Sequence, residues 1–153
     1  GAAVFGDSGM GPEFYYNVDV LDSLFRWLTI DPQTVTWWRN QTQEARGAMM
    51  GSVHPLDDTL QDLTRFLDGP ETCMWAKGPD FDLVLLQAAY KAVSKPIPWK
   101  YRNARDVRTV IALAPDKVEE VTPGIKHRAL DDAILQAVQV TNVYKHLRLR
   151  LDA

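Results

Sequence analysis

The clearest hydrophobic pattern in the chain lies between Pro55 and Asp68. Leu56, Leu60, Leu63, Phe66 and Leu67 recur there at helical spacing, with polar residues between them. The spacing predicts an amphipathic helix, and Gly69-Pro70 ends it. A second helix is predicted over residues 81–94, with Leu85, Leu86, Ala89 and Val93 on one face. A third runs over 129–148, with Leu130, Ile134, Ala137, Val138, Thr141 and Tyr144 as its inner stripe. Asp31-Pro32 suits a helix start, with Asp as cap and Pro at the first position. That helix carries Val35, Trp37 and Trp38 and ends near Asn40. Thr42, Ala45, Met49 and Met50 mark a further short helix. The strand signals are shorter. Residues 2–5 read as the tail of a strand, 6–11 as a turn, and the alternating, aromatic-rich 13–19 as the returning strand of a hairpin. Thr72-Cys73-Met74-Trp75-Ala76 is a short apolar run of buried-strand type. Residues 96–98 form a loop, and 103–113 hold a short strand and then a helical turn or two. Residues 114–126 read as a mobile, charged loop containing Pro and Gly. Strands alternating with helices after residue 70 predict an α/β domain with some parallel pairing.

Composition narrows the class. A chain of 153 residues, 46% of them hydrophobic, suits one domain with a real core. Lys+Arg is 17 against Asp+Glu 20, a formal net charge of −3. That excludes a protein that holds nucleic acid by bulk positive charge. It leaves room for an enzyme that admits a few nucleotides into a metal-filled cleft. The single Cys73 allows no intrachain disulfide, and a reducing cytoplasm is the simple reading. In a strand-like run it is expected to be a buried, inert thiol. No apolar stretch is long enough to span a membrane, and neither a membrane partner nor a secretory leader is expected.

Two stretches carry candidate chemistry. Gly78-Pro79-Asp80-Phe81-Asp82 precedes the apolar run Leu83–Leu86 and places a carboxylate where a strand gives way to a helix. Open α/β sheets bind ligands outside the carboxyl ends of their strands. Equally, Asp82 or Asp80 caps the helix and does nothing more. His127-Arg128-Ala129-Leu130-Asp131-Asp132-Ala133 places a histidine five positions before a carboxylate. Five positions turn a helix by about 500°, so the two share a site only if His127 stays in the loop. The plain alternative is an exposed histidine beside acids that compensate a helix dipole, a role that suits Asp131. Carboxylates give the hard oxygen donors that divalent metals need, and a histidine can activate water near neutral pH. Trp37-Trp38-Arg39-Asn40-Gln41 adds aromatic rings able to stack on bases, although adjacent tryptophans diverge on a helix and are more often core. His54 and His146 read as structural.

Taken together these stretches resemble the DEDDh branch of the ribonuclease H-like (DnaQ-like) 3′-5′ exonucleases. Within it the chain is most similar to small phage and prophage exonucleases, which group with the mycobacterial-type exoribonucleases. The resemblance spans nearly the whole chain. It rests on Trp37-Trp38 with Gln41 and Glu44-Ala45-Arg46, on Phe81-Asp82, on the segment from Trp99 to Thr109 with its Arg105-Asp106-Val107-Arg108-Thr109, and on His127 to Ala133. The resemblance implies an α/β fold of ribonuclease H-like type, a mixed sheet flanked by helices. It implies that Asp82 and Asp132 are metal-binding acids and that His127 is the base that activates water. Asp106, with Arg105 beside it, is expected to support the site. Trp38 and Gln41 are the candidate substrate contacts. Two Mg²⁺ or Mn²⁺ ions are the implied cofactors.

One departure stands out. The family's first motif, Asp-x-Glu on the first and central strand, does not occur before residue 82. The expectation is an exonuclease domain over residues 1–153 that is incomplete at its amino end, by about 20 residues at usual strand and loop lengths. As given, the chain is expected to be inactive and its sheet to lack that strand. The expected partner is single-stranded DNA or RNA, with a homodimer open as an assembly. The rival reading is a non-catalytic nucleic-acid-binding or assembly module that has shed its first motif.

Overall fold

Two short extended segments joined by Asp7-Ser8 open the structure, a computed structural model that describes residues 1–117 and 124–151. β1 (Ala2–Gly6) and β2 (Gly9–Phe14) pair antiparallel, from Gly6 opposite Gly9 to Ala2 opposite Phe14. Gly9 leaves the turn at φ +109°, a backbone conformation that side chains resist. The register shifts between Ala3 and Phe5. Gly11-Pro12 falls in that irregular stretch, where a residue without an N–H costs the ladder least. The returning strand therefore starts earlier than the aromatic alternation suggests. β3 (Asn17–Val18) instead pairs in parallel with β4 (Val53–His54).

Helices follow where caps and periodicity allow them. Asp19 caps α1 (Val20–Phe25), none of whose residues is buried. Asp31 caps α2 (Pro32–Arg39) through the N–H groups of Gln33 and Thr34, with Pro32 in the first turn. Thr42 caps α3 (Gln43–Ala48). α4 (Leu56–Phe66) buries Leu56, Leu60 and Leu63. β5 (Met74–Ala76) runs parallel to β6 (Ala104–Asp106), with α5 (Pro79–Ala92) between them in sequence, and Ala76 lies opposite Asp106. α6 (Val107–Leu113) leaves β6 directly. α7 (Ala129–Leu147) closes the fold.

The main core joins α4 to α5. Leu56, Leu60 and Leu63 meet Ala76, Leu83, Ala89, Tyr90 and Trp99. Tyr90 is fully buried; its hydroxyl donates to the Leu60 carbonyl at 3.0 Å and lies 2.9 Å from the Thr64 hydroxyl. Those bonds let a phenol sit in an apolar core without an unsatisfied oxygen.

The architecture is mixed α/β, with parallel and antiparallel pairing. Among the described residues the strands form three separate pairs rather than one continuous mixed sheet. β1 and β5 communicate through rings instead of a ladder: Phe5 and Trp75 have centroids 6.0 Å apart, and Trp75 meets Tyr144 of α7 at 5.9 Å. Three further expectations need correction. Cys73 is exposed, because β5 begins only at Met74. On α5 Leu85 is exposed, and the inner face runs through Leu83, Ala89 and Tyr90 instead. On α7 the fully enclosed positions include Val140 and Val143 rather than Val138 and Thr141, because β1 and α6 both pack on this helix and widen its buried face. The loop expected over 114–126 lies partly outside the described residues.

Candidate active site

Asp82 occupies the first turn of α5, one step inside a helix that starts on Gly78. Gly78 has φ +104° and no side chain with which to cap. Neither Asp80 nor Asp82 caps the helix. The start is held from outside instead. Asp106, at the end of β6, accepts the Gly78 N–H on Oδ1 at 3.3 Å. The same oxygen accepts the Arg108 N–H at 3.1 Å, and Oδ2 accepts the Thr109 N–H at 3.2 Å and the Thr109 hydroxyl at 2.7 Å. One carboxylate thus caps α6 and pins the start of α5. The Thr109 hydroxyl bond, with the N–H groups of Arg108, Thr109 and Gly78, holds the Asp106 carboxyl below its ordinary range against a smaller opposing effect of burial.

Burial pushes the Asp82 carboxyl above its ordinary range, while the positive charges of Arg108 and the amino group of Gly1 pull it back. Gly1 also lies against the start of α7: a methyl placed on it would sit 2.4 Å from the Leu130 nitrogen. Gly1 thus lies against the start of α7, which carries Asp132, while its charge acts on Asp82 at the start of α5.

His127 precedes α7 in a turn, at φ +69°. Non-glycine residues seldom adopt that conformation, so the surroundings must hold it. Asp131 does part of this, accepting the Ile125 N–H at 2.9 Å and reaching the Arg128 guanidinium at 3.4 Å. Arg128 also lies over the ring of Tyr15, 4.9 Å from its centroid. Asp131 is more than a dipole-compensating charge: it closes the turn that carries His127. The imidazole packs edge to face on Trp37, with centroids 4.8 Å apart, and more loosely on Trp38 at 6.5 Å. Trp37 and Trp38 themselves meet at 5.0 Å.

The sequence-predicted residues fall into two groups. His127, Trp37 and Trp38 touch, and Asp132 follows them at the fourth position of α7, where its N–H donates to the Arg128 carbonyl at 3.0 Å. Asp82 and Asp106 are joined through the start of α5. Arg105 is turned elsewhere: its guanidinium donates to the carbonyls of Arg102 at 2.7 Å and Ala104 at 3.1 Å. The arginine whose charge acts on Asp82 is Arg108, which lies over Gly78 and which spacing alone did not single out. Gln41 donates its amide to the Trp37 carbonyl at 3.0 Å and braces α2.

Asp82 and Asp132 are hard oxygen donors, each in the first turn of its helix. Among the described residues no three or more His, Cys, Asp or Glu side chains gather as a metal-holding group. These residues alone do not make a two-metal centre, which needs more carboxylate than this pair supplies. Among the described residues no helix is long and apolar enough to cross a membrane.

The chain belongs to the family of the 3′-5′ exoribonuclease Rv2179c-like domain, whose profile matches residues 1–144. No curated protein and no solved structure matches it significantly.

Proposed function

We propose that this domain is a metal-dependent 3′-5′ exonuclease of the DEDDh, phage and prophage type, releasing nucleotides from single-stranded RNA. Family membership supports the reaction and favours RNA over DNA as the polymer. The observation that supports the site is His127 braced on Trp37 in the turn before α7, whose first turn carries Asp132 and packs on Gly1, the residue whose amino charge acts on Asp82.

In this reading His127 takes the proton of the attacking water, a role suited to an imidazole near neutral pH. Asp82 and Asp132 supply part of the oxygen donor set for Mg²⁺ or Mn²⁺, whose contribution when bound is to stabilise charge on the phosphate. Asp106 holds the start of α5, and through it Asp82, in place. Trp38 is the candidate stacking surface for a base. With only Asp82 and Asp132 as candidate metal-binding acids, residues 1–153 alone are expected to trim poorly.

The test is degradation of 3′- and 5′-labelled single-stranded RNA and DNA with Mn²⁺. The chain is assayed beside a form carrying an added amino-terminal strand with Asp-x-Glu. Stepwise loss from the 3′ end, abolished by Asp82→Asn and by Asp132→Asn, supports the reading. Binding without trimming by both forms favours a non-catalytic nucleic-acid-binding module. Size-exclusion chromatography with light scattering on the same samples decides between monomer and homodimer.

A further inference from the structure

Arg108 stands in the first turn of α6, and its guanidinium reaches back over the start of α5. A methyl placed on Gly78 would lie 2.8 Å from Arg108 Nη1. Its charge acts on Asp82. The residue is exposed, and none of the ion pairs among the described residues includes it. Its position is built into the fold, because Asp106 Oδ1 accepts both the Arg108 N–H and the Gly78 N–H. The other arginine of this segment, Arg105, is committed to backbone carbonyls.

A guanidinium is a planar fork that matches two phosphate oxygens, and it keeps its charge at any working pH. The chain as a whole is acidic, with a formal charge of −3, so phosphate attraction must come from a few placed cations. We propose that Arg108 is a substrate contact, taking a non-scissile phosphate of the single strand beside Asp82. The inference rests on the exonuclease reading and adds to it the residue that draws the polymer backbone to this end of the domain.

The test measures binding, so it does not depend on turnover. A fluorescent single-stranded RNA is titrated with the full chain in EDTA over a series of salt concentrations. Arg108→Ala is expected to weaken binding about tenfold or more, the usual loss for a charged hydrogen bond. The slope of log affinity against log salt is expected to fall by about 0.7, the value for one phosphate contact on a single strand. Arg108→Lys should keep the slope and recover only part of the affinity. Arg65→Ala, which removes an equal charge from a paired site on α4, should change neither. If Arg108→Ala binds with wild-type affinity and slope, the inference is wrong while the exonuclease reading stands. If the wild-type chain binds no single strand at all, the inference falls, while the exonuclease reading is decided separately by the labelled-strand assay with Mn²⁺.

Discussion

The imidazole of His127 stands edge to face on the indole of Trp37, with ring centroids 4.8 Å apart and planes at 77°. The contact joins a tryptophan of α2 to the turn before α7, two stretches that are far apart in the chain. It gives the paired tryptophans a role that neither core packing nor base stacking describes. An aromatic edge contact of this kind is worth about 0.5–1.5 kcal/mol. It helps to hold a histidine whose backbone is already strained at φ +69°.

If His127 is the base, His127→Ala should cost about 10²–10⁴-fold in turnover. Trp37→Leu should cost less, up to about tenfold, because it releases the ring without removing it. Both should leave binding of single-stranded RNA nearly unchanged. Single-turnover trimming by the active form, with binding measured separately, checks this. A Trp37→Leu variant that loses binding but keeps turnover would make Trp37 a substrate contact instead.

Asp82 offers a test that separates function from stability. Burial raises its folded pKa above the unfolded value. The folded state therefore holds the proton more tightly, and this group's contribution to stability falls as pH rises through the folded pKa. At neutral pH the ionised carboxylate costs the fold something, though little, since the side chain is only partly withdrawn from water. Asp82→Asn should then melt at the same temperature as wild type or higher at pH 7. That margin should close as pH drops below the ordinary carboxylate range. Activity should be lost throughout. A clear fall in melting temperature at pH 7 would mean that Asp82 is a structural acid.

Asp106 should behave in the opposite way. Its folded pKa is lowered, chiefly by the Thr109 hydroxyl bond. Its stabilisation is present above the unfolded carboxylate pKa and is lost as pH falls through the depressed folded value. Asp106→Ala removes the cap of α6 and the anchor of Gly78, so a loss of about 1–2 kcal/mol is expected at neutral pH. Urea unfolding at pH 7 and again near pH 3 measures the difference between variant and wild type, which should be smaller in acid. An unchanged difference would show that the carboxylate charge is not what holds the two helix starts.

Much of this was legible in the chain. Asp31-Pro32 announces α2 and the period of Leu56, Leu60 and Leu63 announces α4, because caps and stripes are local. The turn placement of His127 and the helix-start placement of Asp82 and Asp132 follow from the same local signals. What was not legible depends on distant partners. Leu85 looks as apolar as Leu83, and only the position of α4 decides which one is buried. Arg105 and Arg108 are equivalent as letters. The first is taken up by carbonyls next to it, and the second is carried to Gly78 by a shared oxygen of Asp106. Strand pairing is the least local feature, and a chain read from one end gives no sign of three separate pairs.

Metal binding gives the last prediction. Asp82 and Asp132 lie in the first turns of α5 and α7, where the helix dipoles are positive. Those ends attract carboxylates and repel a dication, so part of each acid's charge is already spent on its own helix. Two carboxylates carry two negative charges against four positive charges on a metal pair, and no third donor joins them among the described residues. The positive charge of Arg108, which acts on Asp82, opposes a dication further. The chain should therefore bind Mn²⁺ weakly, at about 10⁻⁴–10⁻³ M or weaker, the range of lightly charged oxygen sites. Asp82→Asn or Asp132→Asn should weaken it again, whereas His127→Ala should not. Arg108→Ala should tighten it modestly by removing a competing charge. Titration of the chain with Mn²⁺, followed by the electron spin resonance of the free ion, reads all four. Tight uptake of two ions by residues 1–153 would mean that carboxylates outside this pair complete the site. Binding indifferent to Asp82→Asn would remove Asp82 from it.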